Sequence, residues 1–381
     1  MMSEREGLIT VGILGVIAGL VIAIMGYLGR EVHAITWGLF VPSYVYFALI
    51  SIGSSIISSF CVVFKYREAE EKLLKYARLS SWFSLATIIP AWLLIILDLT
   101  RPTKFYLIYL SFNPESRIAW MAAFYGGFAL FLLIELLFFI RAEASEKIAK
   151  MKTLELVIAS LVLILELGLA GNLAQVFGSL VSVPFWYGVH MVPLFISFAI
   201  LLGASSASLM LTPFMDERET RKFVAKYYGK IVLLSSLIIT YFLIWIFLTS
   251  WYNKASLDVA REFLAGRFSK IFWLGTVAIG IVTPIITSTI AIKKESLAAL
   301  RLGAIFALIG GLVTIVSMII LPQTMLPEVL GGYRIVEYHL TGSELVGLIG
   351  AFVLWPSLYL LGTQLLAVLP KDKPKILWIF K

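Results

Sequence analysis

Runs of about 18 or more apolar residues recur from one end of this chain to the other, and no fold that ignores them is open to it. Apolar residues make up 60% of the 381 positions and charged residues 14%, with a mean hydropathy of +0.95. Soluble domains carry about a quarter charged residues, so a water-soluble core does not account for this composition. The pattern predicts an all-α integral membrane protein with ten transmembrane helices. The spans are expected near 8–29, 35–64, 79–100, 118–140, 154–178, 183–211, 231–251, 271–292, 302–323 and 343–369. The first run follows a short charged segment and shows no small-residue cleavage site, so it reads as a retained span.

Lysine and arginine in the connections set the orientation. The N-terminal segment, the connections after even-numbered spans and the C-terminal segment hold 22 of the 31 basic residues, and the other connections hold 9. Both termini are therefore expected in the cytoplasm, with the chain crossing the cytoplasmic membrane many times. The net charge of +8 then reflects topology and the lipid surface. Its scattering over six cytoplasmic segments does not suggest nucleic acid. The single cysteine, Cys61, lies in an apolar run and reads as a small buried hydrophobe.

An internal repeat is visible at an offset of 151. Val41-Pro42 begins a stretch ending in Ser54-Ser55, and Val192-Pro193 begins one ending in Ser205-Ser206. Phe47-Ala48 and Phe198-Ala199 match between them. Two related four-helix bundles, spans 2–5 and 6–9, flanked by spans 1 and 10, explain this simply. The expected divisions are 1–34, 35–178, 179–323 and 324–381.

Ionisable groups in spans are costly and mark function by default. Asp98 ends span 3 and His190 opens span 6. Glu135 lies about 7 Å from the inner end of span 4, and Glu166 roughly 18 Å from the inner end of span 5, at 1.5 Å per residue. Spans 7, 8 and 9 have no acid in their apolar stretches. By depth, the outer mouth of the first bundle gathers His33, Trp37, Asp98 and Asn172, with Tyr187 and His190 beside it. Carboxylate and imidazole can take up protons near neutral pH, and aromatics make an apolar slot for a flat ring. That set suits a quinone. Each residue also has a plainer reading: Trp and Tyr as interface anchors, His33 as a loop residue, Asp98 with Arg101 as a surface ion pair, His190 as a helix contact. Glu135 and Glu166 lie between the cytoplasm and this mouth and suggest a proton path, against interhelical hydrogen bonding as the alternative. Only three histidines are present, all toward the outer side, so a haem is not expected, and one cysteine cannot supply the about four ligands of an iron–sulfur cluster, so neither that nor another metal site is expected in this chain.

One stretch is more specific. Leu97-Asp98-Leu99-Thr100-Arg101-Pro102, Phe105, Phe112-Asn113-Pro114-Glu115-Ser116 and Trp120 resemble the NrfD/PsrC-like family of polysulfide reductase-type membrane subunits, with Thr100 where glycine is usual. Gly171-Asn172-Leu173-Ala174, Phe177-Gly178 and Pro184-Phe185-Trp186-Tyr187 extend the resemblance, which is strongest over about 33–210. It implies a subunit without cofactors of its own that exchanges electrons with menaquinone or another quinone in the first bundle. It also implies partners: an extracytoplasmic four-cluster iron–sulfur subunit and, behind it, a molybdopterin catalytic subunit. The connection 101–117, with Arg101, Lys104, Phe112, Asn113 and Arg117, is the expected docking surface. A different class, a secondary transporter with a duplicated bundle, is the alternative, with Pro42 and Pro193 as kinks in the repeated helices.

Overall fold

Hydropathy leaves the backbone one way to satisfy its polar groups in lipid, namely helices. The computed structural model describes residues 4–29, 35–64, 68, 72–73, 76–144, 152–215, 217–327 and 333–369. Ten helices in it are long and apolar enough to cross a membrane. They are α1 (Glu4–Leu28), α2 (Phe40–Val63), α3 (Ala77–Asp98), α4 (Arg117–Ala144), α5 (Lys152–Gly178), α6 (Met191–Leu211), α7 (Arg218–Ser250), α8 (Ile271–Lys294), α9 (Leu297–Ile320) and α10 (Gly342–Leu365). The end at which α1 starts and α10 finishes is called the base below, and the opposite end the crown. A two-stranded antiparallel hairpin, β1 (Met325–Pro327) and β2 (Tyr333–Ile335), lies between α9 and α10.

Three boundaries differ from expectation for local reasons. The sixth helix starts at Met191 and not near 183, because Pro184 and Gly188, which holds φ 145, turn the chain first. The second starts at Phe40, so Trp37 precedes it. The seventh starts at Arg218, where a polar amphipathic turn carries the helix beyond its apolar stretch. Pro42 and Pro193 are each the third residue of their helix. Helix N–H groups there have no intrahelical acceptor, so neither proline kinks the helix interior as expected.

Small residues set the helix contacts, as membrane packing requires. A Cβ on Gly53 of α2 would collide with the Ala199 carbonyl of α6, so these two helices cross in backbone contact. Helix α2 packs on α3 and α5, and α4 joins α3 to α5. In the same order, α6 packs on α7 and α9, and α8 joins α7 to α9. Helix α1 lies along α10 and turns Leu14, Ile17 and Met25 outward. The first half of α8, Ile271–Val282, is π-helical. Pro284 removes a donor there, while the Thr283 N–H and hydroxyl both reach the Ala278 carbonyl.

Candidate functional site

At the crown, between α2, α3 and α4, lies a cavity of about 440 Å³. Small-molecule sites run from about 300 to 1,000 Å³. Its walls are apolar and aromatic, with Val41 and Tyr44 from α2, Trp92 and Ile95 from α3, and Met121 and Tyr125 from α4. Asp98, the last residue of α3, is the acid that lines it. Trp37 closes one side. Its ring stacks on Trp186 at 5.8 Å and meets Phe177 edge-on at 5.2 Å. The Trp186 indole donates to the Met318 carbonyl at 2.6 Å.

The chain after Asp98 folds back over the cavity. Pro102–Lys104 forms a 3₁₀ turn and Leu107–Leu110 a short helix. Tyr109 donates to the Ala122 carbonyl of α4 at 3.1 Å, and the Trp120 indole donates to the Pro114 carbonyl at 2.9 Å. Partial burial pushes the Tyr109 phenol up, which keeps it a donor. The Asn113 side chain accepts from the Glu115 N–H and tightens the turn. Lys104, Phe105, Ile108 and Tyr109 thereby become cavity wall, while Tyr106, Leu110 and Phe112 of the same segment face outward.

A distant connection braces the Trp37 side. The Gln323 amide donates to the Trp37 carbonyl at 3.1 Å and accepts from its N–H at 3.0 Å. Two residues on, the Leu39 N–H donates to the buried Glu344 carboxylate at 2.8 Å. Glu344 also completes the capping box of α10 with Thr341.

Of the residues read from sequence, Trp37, Asp98 and Lys104 line this cavity. His33 lies outside the described residues. Asn172 is one turn before the lining residue Val176 on α5, is not itself a wall residue, and its side-chain carbonyl is buried without a partner among the described residues. Tyr187 and His190 sit in the α5–α6 turn, away from the cavity; Tyr187 is exposed. His190 is half-buried, its Nε2 has no partner among the described residues, and burial lowers its pKa. Arg101, Phe112, Asn113 and Arg117 are exposed on the outer side of the folded-back segment. Glu135 and Glu166 are buried toward the base, apart from the cavity. Sequence reasoning missed Tyr44 and Tyr125. Tyr44 donates weakly to the Met121 sulfur at 3.6 Å, and the Tyr125 hydroxyl has no partner among the described residues. A tyrosine inside an apolar run was the available signal, since its hydroxyl needs a partner once buried.

Ten helices long and apolar enough to cross a membrane, with an aromatic-lined cavity under a folded-back loop, define a multi-pass membrane protein that opens a cavity at one face. The chain belongs to the NrfD polysulphide reductase family, whose model matches residues 29–327. It is thus a membrane subunit of the kind found in oxidoreductase complexes. It is similar to a selenate reductase subunit from Mesobacillus selenatarsenatis, 25% identical over 91% of this chain and 90% of that one. It is also similar to the Hdr-like menaquinol oxidoreductase integral membrane subunit of Archaeoglobus fulgidus, 25% identical over 89% of this chain and 86% of the relative.

Proposed function

We propose that the crown cavity is the site where membrane quinol or quinone exchanges electrons with an extracytoplasmic iron–sulfur subunit, which passes them to or from a molybdopterin catalytic subunit. The observation that carries this is the pairing of Asp98 with an aromatic cage whose outer wall is the exposed segment 101–117. The ring lies between Trp37, Trp92 and Phe105. Asp98 takes up the hydroxyl proton of a quinol, and the Tyr125 hydroxyl meets a ring oxygen. Asn172, one turn before the wall residue Val176, stands behind the same mouth, while Tyr187 and His190 lie beyond the cavity wall. Electrons leave through the segment that forms the wall, so the partner docks on Arg101, Lys104, Phe112, Asn113 and Arg117. The crown faces outward and both termini lie in the cytoplasm, in keeping with the basic residues at the base connections. The name of the Archaeoglobus relative supports a menaquinol substrate. Glu135 and Glu166 carry protons from the base.

Photolabelling with an azidoquinone tests the reading. The label is expected in the peptides containing Trp92–Tyr109 and Ile118–Tyr125, and excess menaquinone suppresses it. Label found only on lipid-facing residues of α1 or α7 would overturn it.

A further inference from the structure

The base half of the α2–α5 group holds a second polar assembly, unconnected to the cavity wall. Glu166 is fully buried and Glu135 is 4% exposed. Neither carboxyl forms an ion pair among the described residues. Ser81 donates to Glu135 at 2.7 Å, and Ser59 donates to one Glu166 oxygen at 3.4 Å. Ser55, one turn before Ser59 on α2, also faces the Glu166 carboxyl, but more loosely than a well-formed hydrogen bond among the described residues. Ser58 and Ser80, the chain neighbours of Ser59 and Ser81, bond to each other at 2.9 Å. Hydroxyls therefore bridge α2 and α3 between the two carboxyls.

On the α2–α3 side hydroxyls continue crownward through Ser54 and Ser84, which bond at 2.9 Å, to Ser51 and Thr87, and the buried Ala48, Ile88 and Ala91 separate these from the cavity. Tyr125 and Glu135 are both on α4, about 15 Å apart along the axis at 1.5 Å per residue. Phe128 and Leu132 lie between them, and Leu169 lies on the cavity side of Glu166; all three are fully buried. The second helix group supplies an internal comparison. It has buried hydroxyls at Ser205, Ser206, Ser235, Ser236 and Ser288, yet no acid in the apolar stretches of α6–α9. Hydroxyls alone thus suffice to pack these helices, and the two carboxyls are an addition with another purpose.

A carboxylate sealed in apolar surroundings without a basic partner must hold a cation. One carboxyl and two hydroxyls offer too few oxygens to replace the hydration shell of a metal ion, but enough to accept and donate around a single proton. We infer that Glu166, with Ser55 and Ser59, is a proton-loading site filled from the base through Glu135 and Ser81, and closed toward the cavity by the Phe128–Leu132–Leu169 layer and, on the α2–α3 side, by Ala48, Ile88 and Ala91. The inference rests on the proton-carrying reading of these two acids and not on the quinone reading of the cavity. It makes Glu166 the end of an inward-facing branch, whose proton does not mix with those released at Asp98.

Infrared spectroscopy of the full chain in proteoliposomes, with transfer to D₂O, tests this. The carboxyl stretch of protonated Glu166, assigned by its loss in Glu166→Gln, should shift on deuteration. Glu135→Gln should slow that shift by roughly tenfold or more, the scale on which a positioned acid–base group acts. Dicyclohexylcarbodiimide, which adds across the O–H of a protonated carboxyl, should label Glu166 in the unmodified chain. That labelling should fall as pH rises and be indifferent to sodium and to a quinone analogue in the cavity. Absence of any protonated-carboxyl band from Glu166, protection by sodium, or blockade by the analogue would each overturn the inference. The labelling arm uses the unmodified chain, so a variant that fails to fold does not remove the test. Failure of the cavity reading alone shows as lost analogue binding with Glu166 labelling intact.

Discussion

Tyr125→Phe separates stability from binding by sign. Tyr125 is 3% exposed, and its hydroxyl finds no acceptor or donor among the described residues. A buried polar group left unpaired costs about 1–3 kcal/mol. Phenylalanine keeps the ring and its packing in the core and removes only that hydroxyl, so the ligand-free variant should be more stable by up to that amount. In the proposed complex the hydroxyl meets a quinone oxygen, and a net hydrogen bond is worth about 0.5–1.5 kcal/mol. Its loss should weaken analogue binding roughly two- to thirteenfold. The assay is thermal unfolding of the purified protein in detergent, with and without a quinone analogue. Unfolding should occur at higher temperature in the ligand-free variant, and the analogue's added stabilisation should shrink. A variant that is less stable without ligand would show that the hydroxyl is already satisfied in the protein. Unchanged analogue affinity would show that the ligand does not reach it.

Three further outcomes follow from particular contacts. Gln323→Ala removes both hydrogen bonds to the Trp37 backbone, leaves its N–H unpaired at about 1–3 kcal/mol, and should weaken analogue binding with altered Trp37 fluorescence. An unchanged emission spectrum and affinity would free Gln323 of that role. Gly53→Val forces α2 from the Ala199 carbonyl and should cost about 1–3 kcal/mol or more, read as lower yield of folded protein and earlier unfolding. His190 has a folded pKa below its ordinary 6.5 because of burial, so the unfolded chain binds more protons in acid. Its contribution is present above about pH 6.5 and lost as pH falls through the folded value; acid scans of unfolding should be flatter in His190→Asn.

The ten spans were legible because bilayer hydropathy leaves little choice of structure; α2 and α6 start 151 residues apart, each with proline third, the offset at which the sequence matches itself. Asp98 and Trp37 stood out as an acid and a large aromatic at span ends, and both line the cavity. Tyr44 and Tyr125 did not, because a phenol buried in a helix does not titrate near neutral pH and reads as one more aromatic in an apolar run. The folding of 101–117 onto α4 rests on Tyr109 reaching Ala122, a tertiary contact that turn composition alone does not specify. Gln323 is 286 residues from the tryptophan it braces, and no local pattern announces it. Helix starts moved where a single backbone feature intervened, as Gly188 does before α6.

The central claim is that the crown cavity binds quinol through Asp98 and its aromatic cage. A fluorescent quinol analogue titrated into the purified protein tests it most directly. Saturable quenching, competed by menaquinone and lost or strongly weakened in Asp98→Asn, is the predicted result. Saturable quenching with the same affinity in Asp98→Asn and in Tyr125→Phe would contradict the claim and place the binding site elsewhere in the membrane-embedded surface.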